Sequence, residues 1–163
     1  MGANIVLSNE LDVGGEPVAD VRVRYAPLKG ITIPEDQVPL AIDEFPAIFI
    51  AAACAEGTTI LSGAEELRVK ESDRIQSMAD GLVILGIDAQ PTVDGICILG
   101  GQLGSGSVHS HDDHRIAMAF SIAALRASGE IIVLDCNNVG TSFPDFVGLA
   151  GQIGINLTSE TMS

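Results

Sequence analysis

The chain is short of aromatic residues and of positive charge. Among its 163 residues there is no Trp and one Tyr, so a core must be built from Ile, Val, Leu and Ala. Eight Lys and Arg stand against 22 Asp and Glu, which gives a formal net charge of −14. A chain without a basic stripe is not expected to bind nucleic acid or an anionic membrane nonspecifically. Any anionic ligand must be held by a few local cations.

Cysteine is also scarce. Cys54, Cys97 and Cys136 are widely spaced and form no Cys-x-x-Cys pair. Each lies in an apolar or strand-like segment, which predicts buried, reduced thiols and a cytoplasmic protein. No signal peptide is visible, and the longest apolar runs, around 47–55 and 116–125, are shorter than the ~20 residues that span a bilayer. We therefore expect no membrane partner.

What the sequence does contain is a hydrophobic content of 47%, which is typical of a folded domain. Helical and strand-like segments alternate, which predicts an α/β fold. A helix over 73–85 has Ser72 as its expected N-cap and Gly86 just past its end. Other helices are predicted over 44–55, 114–127 and 144–153. Strands are predicted over 4–7, 21–25, 31–33, 58–61, 87–89, 96–99 and 131–134.

Two passages about 70 residues apart nearly superimpose. Residues 50–61 and 122–133 each run from an apolar helix through a glycine to a β-branched strand. A second helix in each copy ends in an apolar-Gly-apolar junction, at 85–87 and 153–155. The alternative is a generic alternation of helices and strands. The first five residues resemble the same junction without its helix, so we expect a C-terminal piece of a longer protein.

The scarce cations are concentrated: three of the eight lie within residues 68–74. Arg74 and Arg115 fall in the first turns of predicted helices, where a cation opposes the helix dipole at a cost of about 0.3–1 kcal/mol. A bound anion would make the net interaction of each arginine favourable, because charge-assisted hydrogen bonds contribute roughly 1.5–3 kcal/mol. The alternative is pairing with Asp73 or Asp112. The occurrence of this arrangement in both repeated units favours an anion site.

Two carboxylates accompany these cations. Glu71 lies between Lys70 and a helix start, where it can act as a general acid or base. Asp43 supplies a second carboxylate from another part of the chain. Together with the lysine and the two arginines they predict proton transfer on a phosphorylated acid. Asp43, Asp73 and Asp113 also suit ordinary helix caps, and that alternative stays open.

A histidine-rich segment offers a rival hypothesis. His109, His111, Asp113 and His114 match the His-x-His-x-Asp-His pattern of metallo-β-lactamase-type hydrolases. Such sites need further His and Asp ligands downstream, and all three His of this chain lie in this segment. A metal-dependent hydrolase is therefore the alternative, and no metal or other cofactor is predicted.

Four segments resemble, in order and over essentially the whole chain, the 5-enolpyruvylshikimate-3-phosphate synthase family. They are Asp-Glu-Phe-Pro at 43–46, Glu-Leu-Arg-Val-Lys-Glu-Ser-Asp-Arg at 66–74, Asp-His-Arg-Ile-Ala-Met at 113–118, and Thr-Ser-Phe-Pro-Asp-Phe at 141–146. The resemblance implies a two-domain inverse α/β barrel of repeated βαβαββ units, with helices inside and sheets outside. Residues 1–163 would form most of its C-terminal domain, with the N-terminal domain absent.

The resemblance also implies a reaction, the transfer of enolpyruvyl from phosphoenolpyruvate to the 5-hydroxyl of shikimate 3-phosphate with release of phosphate. This step belongs to the shikimate pathway of aromatic amino-acid biosynthesis. Asp43 would accept the hydroxyl proton and help bind shikimate 3-phosphate, together with Lys70. Glu71 would protonate the methylene carbon, and Arg74 and Arg115 would hold phosphoenolpyruvate.

Two positions depart from one branch of the family. Thr141 stands where that branch has Lys, and Glu66 where it has Asn, so neither is assigned a binding role and glyphosate sensitivity stays open. The related UDP-N-acetylglucosamine enolpyruvyl transferases match residues 70–74 poorly. We expect negligible turnover from this piece alone. A further hypothesis is a noncatalytic anion-binding α/β domain, if the cations pair internally.

Overall fold

The computed structural model describes residues 1–160. No helix in that range is long and apolar enough to cross a membrane. The strands are β1 (Asn4–Val13), β2 (Glu16–Arg24), β3 (Thr58–Leu61), β4 (Asp88–Pro91), β5 (Ile96–Leu99), β6 (Gly106–His109) and β7 (Ile131–Leu134). The α-helices are α1 (Phe45–Ala53), α2 (Arg74–Ile84), α3 (His114–Ala123), α4 (Val139–Ser142) and α5 (Phe146–Gln152). Short 3-10 helices cover Glu35–Gln37, Pro39–Glu44 and Glu65–Val69.

The chain begins with an exposed antiparallel hairpin of β1 and β2. Its turn places Gly14 (φ 67°) and Gly15 (φ 90°) in the left-handed region that a two-residue hairpin turn requires. The Gly15 amide donates to Oδ1 of Asp12 at 2.9 Å. Both strands are much longer than the predicted 4–7 and 21–25, because the polar residues near the turn obscured the strand pattern.

The first repeated unit contains α1, β3, α2, β4 and β5. The three strands form an antiparallel sheet in the order β3-β5-β4. The apolar positions that predicted helix α2, namely Ile75, Met78, Leu82 and Leu85, are all buried. The strands over 58–61 and 96–99 are confirmed, and the helix before them is shorter than predicted.

In the second unit, β6 and β7 pair in parallel across the crossover helix α3. Strand β6 was not predicted, because Val108 is its single apolar side chain. The predicted strand over 31–33 is wrong: this stretch forms a single parallel bridge, between Thr32 and Ile60, and Pro34 follows at once. The bridge between Thr32 and Ile60 nevertheless occupies the position in the first unit that the β6–β7 pair occupies in the second.

The two units also end their second helices in the same way. Gly86 (φ 84°) and Gly154 (φ 90°) both adopt the left-handed conformation that ends a helix. The Ile87 amide donates to the Leu82 carbonyl at 3.0 Å, and the Ile155 amide donates to the carbonyl five residues before it at 2.9 Å. The repeat inferred from these junctions therefore has a common local geometry.

Helices α1, α2 and α3 pack on one another, with the strands on their outer sides. Phe45, Phe49 and Phe120 are completely buried between them. A Cβ atom at Gly81 of α2 would lie 2.3 Å from Cζ of Phe120, so glycine permits the close approach of α2 and α3. The predicted arrangement of helices inside and sheets outside is confirmed in the described range.

All three cysteines are free thiols. Cys54 and Cys97 are partly buried, whereas Cys136 is exposed, so the prediction of burial is wrong for Cys136. That residue follows β7 in the turn before α4, where the chain leaves the sheet for the surface.

Candidate functional site

Three helix N-termini meet on one side of the helical core. Asp43 lies two residues before α1, Arg74 begins α2, and Arg115 is the second residue of α3. Nη1 of Arg74 contacts Oδ1 of Asp43 at 3.1 Å, and Nη1 of Arg115 donates to the Asp43 carbonyl at 2.9 Å. The structure thus brings the predicted residues from three helix starts into one cluster.

The helix caps place the arginines. Asp73, not the predicted Ser72, is the N-cap of α2 and accepts a hydrogen bond from the Gln76 amide at 3.0 Å. The helix begins one residue later than expected, so it is the Asp73 carboxylate that reaches the third amide of the first turn. The Ser72 hydroxyl instead donates to Oδ2 of Asp113 at 3.1 Å.

Arg74 is only 1% exposed and is held by three carboxylates. Its Nε donates to Asp113 at 2.8 Å, Nη1 to Asp43 at 3.1 Å and Nη2 to Glu71 at 2.6 Å. Burial by itself would lower the pKa of Arg74, but the hydrogen bond and charge of Asp113, with the two other acids, raise it. The buried guanidinium therefore stays charged.

Asp113 is fully buried and serves two helices. As the N-cap of α3 it accepts from the Arg115 amide at 3.0 Å, and it also accepts from Arg74 of α2. Burial would raise its pKa, but the Arg74 contact and the hydrogen bonds from the Arg115 amide and Ser72 lower it below the ordinary value. The sequence indicated the cap but not the ion pair across 39 residues.

Asp43 is half-exposed and lies among three cations. Nζ of Lys70 is 3.5 Å away and Nη2 of Arg115 is 3.7 Å away, in addition to the Arg74 contact. Desolvation opposes ionisation of Asp43, but Arg115, Lys70 and Arg74 together lower its pKa. This carboxylate is therefore held in its ionised form.

The cations also have partners that the sequence did not indicate. Nζ of Lys70 contacts Glu66 as well as Asp43, and the Glu66 hydrogen bond is the main cause of the raised pKa of Lys70. Arg115 contacts Oε1 of Glu44 at 3.1 Å. These cations therefore form ion pairs within the chain, but not with the expected Asp73 and Asp112.

Arg68 belongs to the dense run of cations in the sequence but not to this cluster. Its Nε donates to the Val93 carbonyl at 2.7 Å, its Nη1 to Asp73 at 2.6 Å and its Nη2 to the Thr92 carbonyl. Arg68 thus ties the turn between β4 and β5 to the cap of α2. Its role is structural, so only two of the three cations over 68–74, Lys70 and Arg74, belong to the cluster.

An apolar groove of about 480 Å³ runs from this cluster between α1 and α3. Asp43 and Arg115 line one part of it, and Cys54 and Arg126 line another. Burial raises the pKa of the Cys54 thiol, with Arg126 acting in the opposite direction. No pattern in the sequence indicated the groove, since most of its lining residues are ordinary apolar residues of α1 and α3.

The histidine-rich segment does not assemble into the metal site of the rival hypothesis. Asp113 faces the interior toward Arg74, and Nδ1 of His109 contacts Oδ2 of Asp135 at 2.9 Å. The rings of His109 and His111 lie 5.8 Å apart. Across residues 1–160, no group of three His, Cys, Asp or Glu side chains is placed to hold a metal ion.

Comparisons with known proteins give a consistent result. The model of the family EPSP synthase (3-phosphoshikimate 1-carboxyvinyltransferase) matches residues 1–149. The 3-phosphoshikimate 1-carboxyvinyltransferase of Methylococcus capsulatus is 66% identical over 157 residues, which are 96% of this chain and 36% of that protein. The enzyme of the same name from Nitrosococcus oceani is 67% identical over 155 residues, covering 95% and 35% of the two chains. The chain thus spans about 36% of the length of the curated relatives it matches.

Solved structures agree with the sequence relatives. An EPSP synthase from Acinetobacter baumannii superimposes with a TM-score of 0.95 at 57% identity, covering 98% of this chain and 38% of that one. A second structure of EPSP synthase from the same organism gives a TM-score of 0.93 at 54% identity, covering 99% and 38%. The segments that carry the resemblance therefore lie in a matching fold as well as in a matching sequence, and the chain belongs to the EPSP synthase family.

Proposed function

We propose that this chain supplies one face of an active site that transfers enolpyruvyl from phosphoenolpyruvate to the 5-hydroxyl of shikimate 3-phosphate and releases phosphate. One observation carries the proposal: two carboxylates and three cations from separate parts of the chain meet at three helix N-termini. Such ends offer free N–H donors and partial positive charge to anionic groups. The names and sequences of the relatives support the same reaction.

The two carboxylates take opposite roles in the proposed addition step. Asp43, kept ionised by its cationic neighbours, accepts the proton of the attacking hydroxyl, whose oxygen bonds to C2 of phosphoenolpyruvate. Glu71, released from Arg74 and carrying a proton, donates that proton to the methylene carbon C3, so the double bond is lost and a tetrahedral intermediate forms. In the elimination, the resulting Glu71 carboxylate takes back a C3 proton, the bond between C2 and the phosphate oxygen breaks, and the double bond of the enol ether forms. Lys70, which contacts Asp43, stabilises developing charge and helps hold shikimate 3-phosphate.

The arginines bind phosphoenolpyruvate by exchanging partners. Arg74 is buried, so an anion reaches its guanidinium where Asp43 or Glu71 moves aside. Those two side chains are 45% and 52% exposed, and both can swing toward solvent. Arg115 is partly exposed and offers a second guanidinium once Glu44 is displaced. A carboxylate or phosphate then makes the charge-assisted, bidentate contacts that Arg favours.

We further propose that the rest of the protein completes this site. Three cations (Lys70, Arg74 and Arg115) face five carboxylates (Asp43, Glu44, Glu66, Glu71 and Asp113) in the cluster. This excess of negative charge opposes two phosphorylated substrates, so further cations are needed. The relatives are long enough to hold a second domain that would supply them. The free thiols favour the reducing cytoplasm as the location.

The proposal is tested by titrating the ¹⁵N-labelled chain with phosphoenolpyruvate and shikimate 3-phosphate. Each substrate should perturb the amides around residues 43, 70–74 and 113–115. We expect dissociation constants of about 1 mM or higher, which correspond to binding free energies no more favourable than about −4.1 kcal/mol. Arg115→Ala should abolish the response to phosphoenolpyruvate. Arg126→Ala is the matched control, because it removes the same charge from another part of the same groove.

Two results would contradict the proposal. Perturbations that map outside these three helix starts would place the ligand elsewhere, and an equal loss of binding in both arginine variants would indicate a nonspecific charge effect. Rapid phosphate release by the isolated chain with both substrates would refute the statement that this chain holds one face only.

A further inference from the structure

One buried carboxylate contacts both arginines of the proposed phosphoenolpyruvate site. Oδ2 of Asp113 accepts from Nε of Arg74 at 2.8 Å, and Oδ1 accepts from the main-chain amide of Arg115 at 3.0 Å. The Ser72 hydroxyl donates to Oδ2 at 3.1 Å. A single side chain therefore joins the start of α2 to the start of α3.

The contact with Arg74 fixes the direction of its remaining donors. Nε faces Asp113 in the interior, and Nη2 lies 3.4 Å from Oδ1 of the same carboxylate, while Nη1 and Nη2 also reach the half-exposed Asp43 and Glu71. Because the guanidinium group is planar, holding Nε sets the plane and direction of the other two nitrogens. An anion that replaces Asp43 or Glu71 meets donors that are already oriented, which reduces the entropy lost on binding.

Asp113 acts on Arg115 through the backbone. Its cap fixes the first turn of α3, and the Arg115 side chain leaves that turn to contact the Asp43 carbonyl and Glu44. A change in the cap would shift the base of this side chain, because Asp113 holds the main-chain amide of Arg115.

We infer that Asp113 is a positioning residue that orients Arg74 and Arg115 together for phosphoenolpyruvate, an inference that rests on the proposed function. Its carboxylate is fully buried, so it does not itself contact the substrate. Removal of its charge weakens phosphoenolpyruvate binding more than shikimate 3-phosphate binding, because the latter is assigned to Asp43 and Lys70.

The variant Asp113→Asn tests this inference, because Asn remains a good N-cap while the negative charge is lost. Asp94→Asn is the matched control: Asp94 also accepts from a main-chain amide, that of Gly63 at 2.9 Å, and from a hydroxyl, that of Thr92 at 3.2 Å, but it lies outside the site. Both variants and the original chain are labelled with ¹⁵N, compared for thermal stability, and titrated with each substrate separately.

Asp113→Asn should accelerate hydrogen exchange at Nε of Arg74 and raise the dissociation constant of phosphoenolpyruvate, each by about tenfold, as expected for the loss of a charge-assisted bond. The dissociation constant of shikimate 3-phosphate should change by less than about threefold. Asp94→Asn should leave the Arg74 exchange rate and both affinities within about twofold of the original values, whatever its effect on stability.

Unchanged Nε exchange in Asp113→Asn would overturn the inference, as would a loss of phosphoenolpyruvate affinity equal to that of the Asp94 control. If Asp113→Asn does not fold, Ser72→Ala removes one partner of the carboxylate and should accelerate the same exchange by about threefold; no change there would also overturn the inference. If the original chain binds no phosphoenolpyruvate, the proposed function fails, whereas the exchange measurement still decides whether Asp113 holds Arg74.

Discussion

At the scale of single residues, the site depends on the pairing of buried charges. Arg74 and Asp113 are 1% and 0% exposed and lie 2.8 Å apart, so each charge is compensated by the other and by hydrogen bonds. A buried pair of this kind contributes little net stability compared with apolar residues, but the loss of one partner is costly. Arg74 is therefore a structural residue as well as a proposed ligand.

Replacement of Arg74 by Met should lower the free energy of unfolding by about 3–5 kcal/mol, because it leaves the Asp113 charge buried without its cation. Urea denaturation at pH 7 measures this difference. Arg126→Met is the control, since Arg126 is exposed and its loss should stay within about 0.5 kcal/mol of the original value. Equal effects of the two variants would show that the buried pair is unimportant for stability.

Asp113 also predicts how stability depends on pH. Its pKa is lowered in the folded state, so its contribution is fully present above the unfolded pKa of about 4 and is lost as the pH falls through the lower folded value. The stability difference between the original chain and Asp113→Asn should be constant from pH 7 to about pH 5 and should narrow below about pH 4. Urea denaturation over this range measures it; a difference independent of pH would contradict the ion pair.

At the scale of the elements, the position of the site follows from the close packing of three helices. Gly81 lets α2 approach Phe120 of α3, and this approach brings Arg74 and Asp113 within hydrogen-bonding distance. Helix propensity alone would favour Ala at position 81. Packing and propensity therefore oppose each other at this residue.

Gly81→Ala should destabilise the fold by about 1–3 kcal/mol, because its Cβ would overlap the buried Phe120 ring by more than the gain in helix propensity can offset. Gly148→Ala in α5, where the added Cβ has no neighbour within 4 Å, should stabilise by about 0.5–1 kcal/mol. Thermal unfolding of both variants shows whether each substitution destabilises or stabilises the fold. Stabilisation by Gly81→Ala would mean that α2 and α3 pack less closely.

At the scale of the whole molecule, the chain corresponds to about a third of its relatives, and its cluster carries more negative than positive groups. We therefore expect the proposed reaction to need further cationic groups, which the unmatched part of the relatives is long enough to supply. The chain belongs to the EPSP synthase family, and we expect its activity to depend on those groups.

Joining this chain to the part of the Methylococcus capsulatus relative that it does not match should produce phosphate release that requires both substrates, whereas the chain alone should give none above background. In the joined protein, Asp43→Asn and Glu71→Gln should each lower kcat by about 10²–10⁴-fold, the usual contribution of general acid–base catalysis. A coupled phosphate assay measures both comparisons. Full activity of Glu71→Gln in a folded joined protein would rule out Glu71 as the proton donor.

The sequence by itself determined the local features of this protein. The start of α3, the start of α2 to within one residue, the glycines that end two helices, and the order of the four segments that define the family could all be predicted, because caps and helical periodicity act over a few residues. Strand β6 was missed because one apolar residue in four gives no pattern.

Only the tertiary structure decided which charges meet. Arg68 and Arg74 are close in sequence and equally basic, yet Arg68 ties a turn to a helix cap while Arg74 is buried against Asp113, 39 residues away. The partner of a charged side chain depends on which helices pack together and how closely, and that depends on contacts such as Gly81 with Phe120. Contacts between residues that are far apart in sequence leave no local sequence pattern. The geometry of the site could therefore be determined only from the tertiary structure.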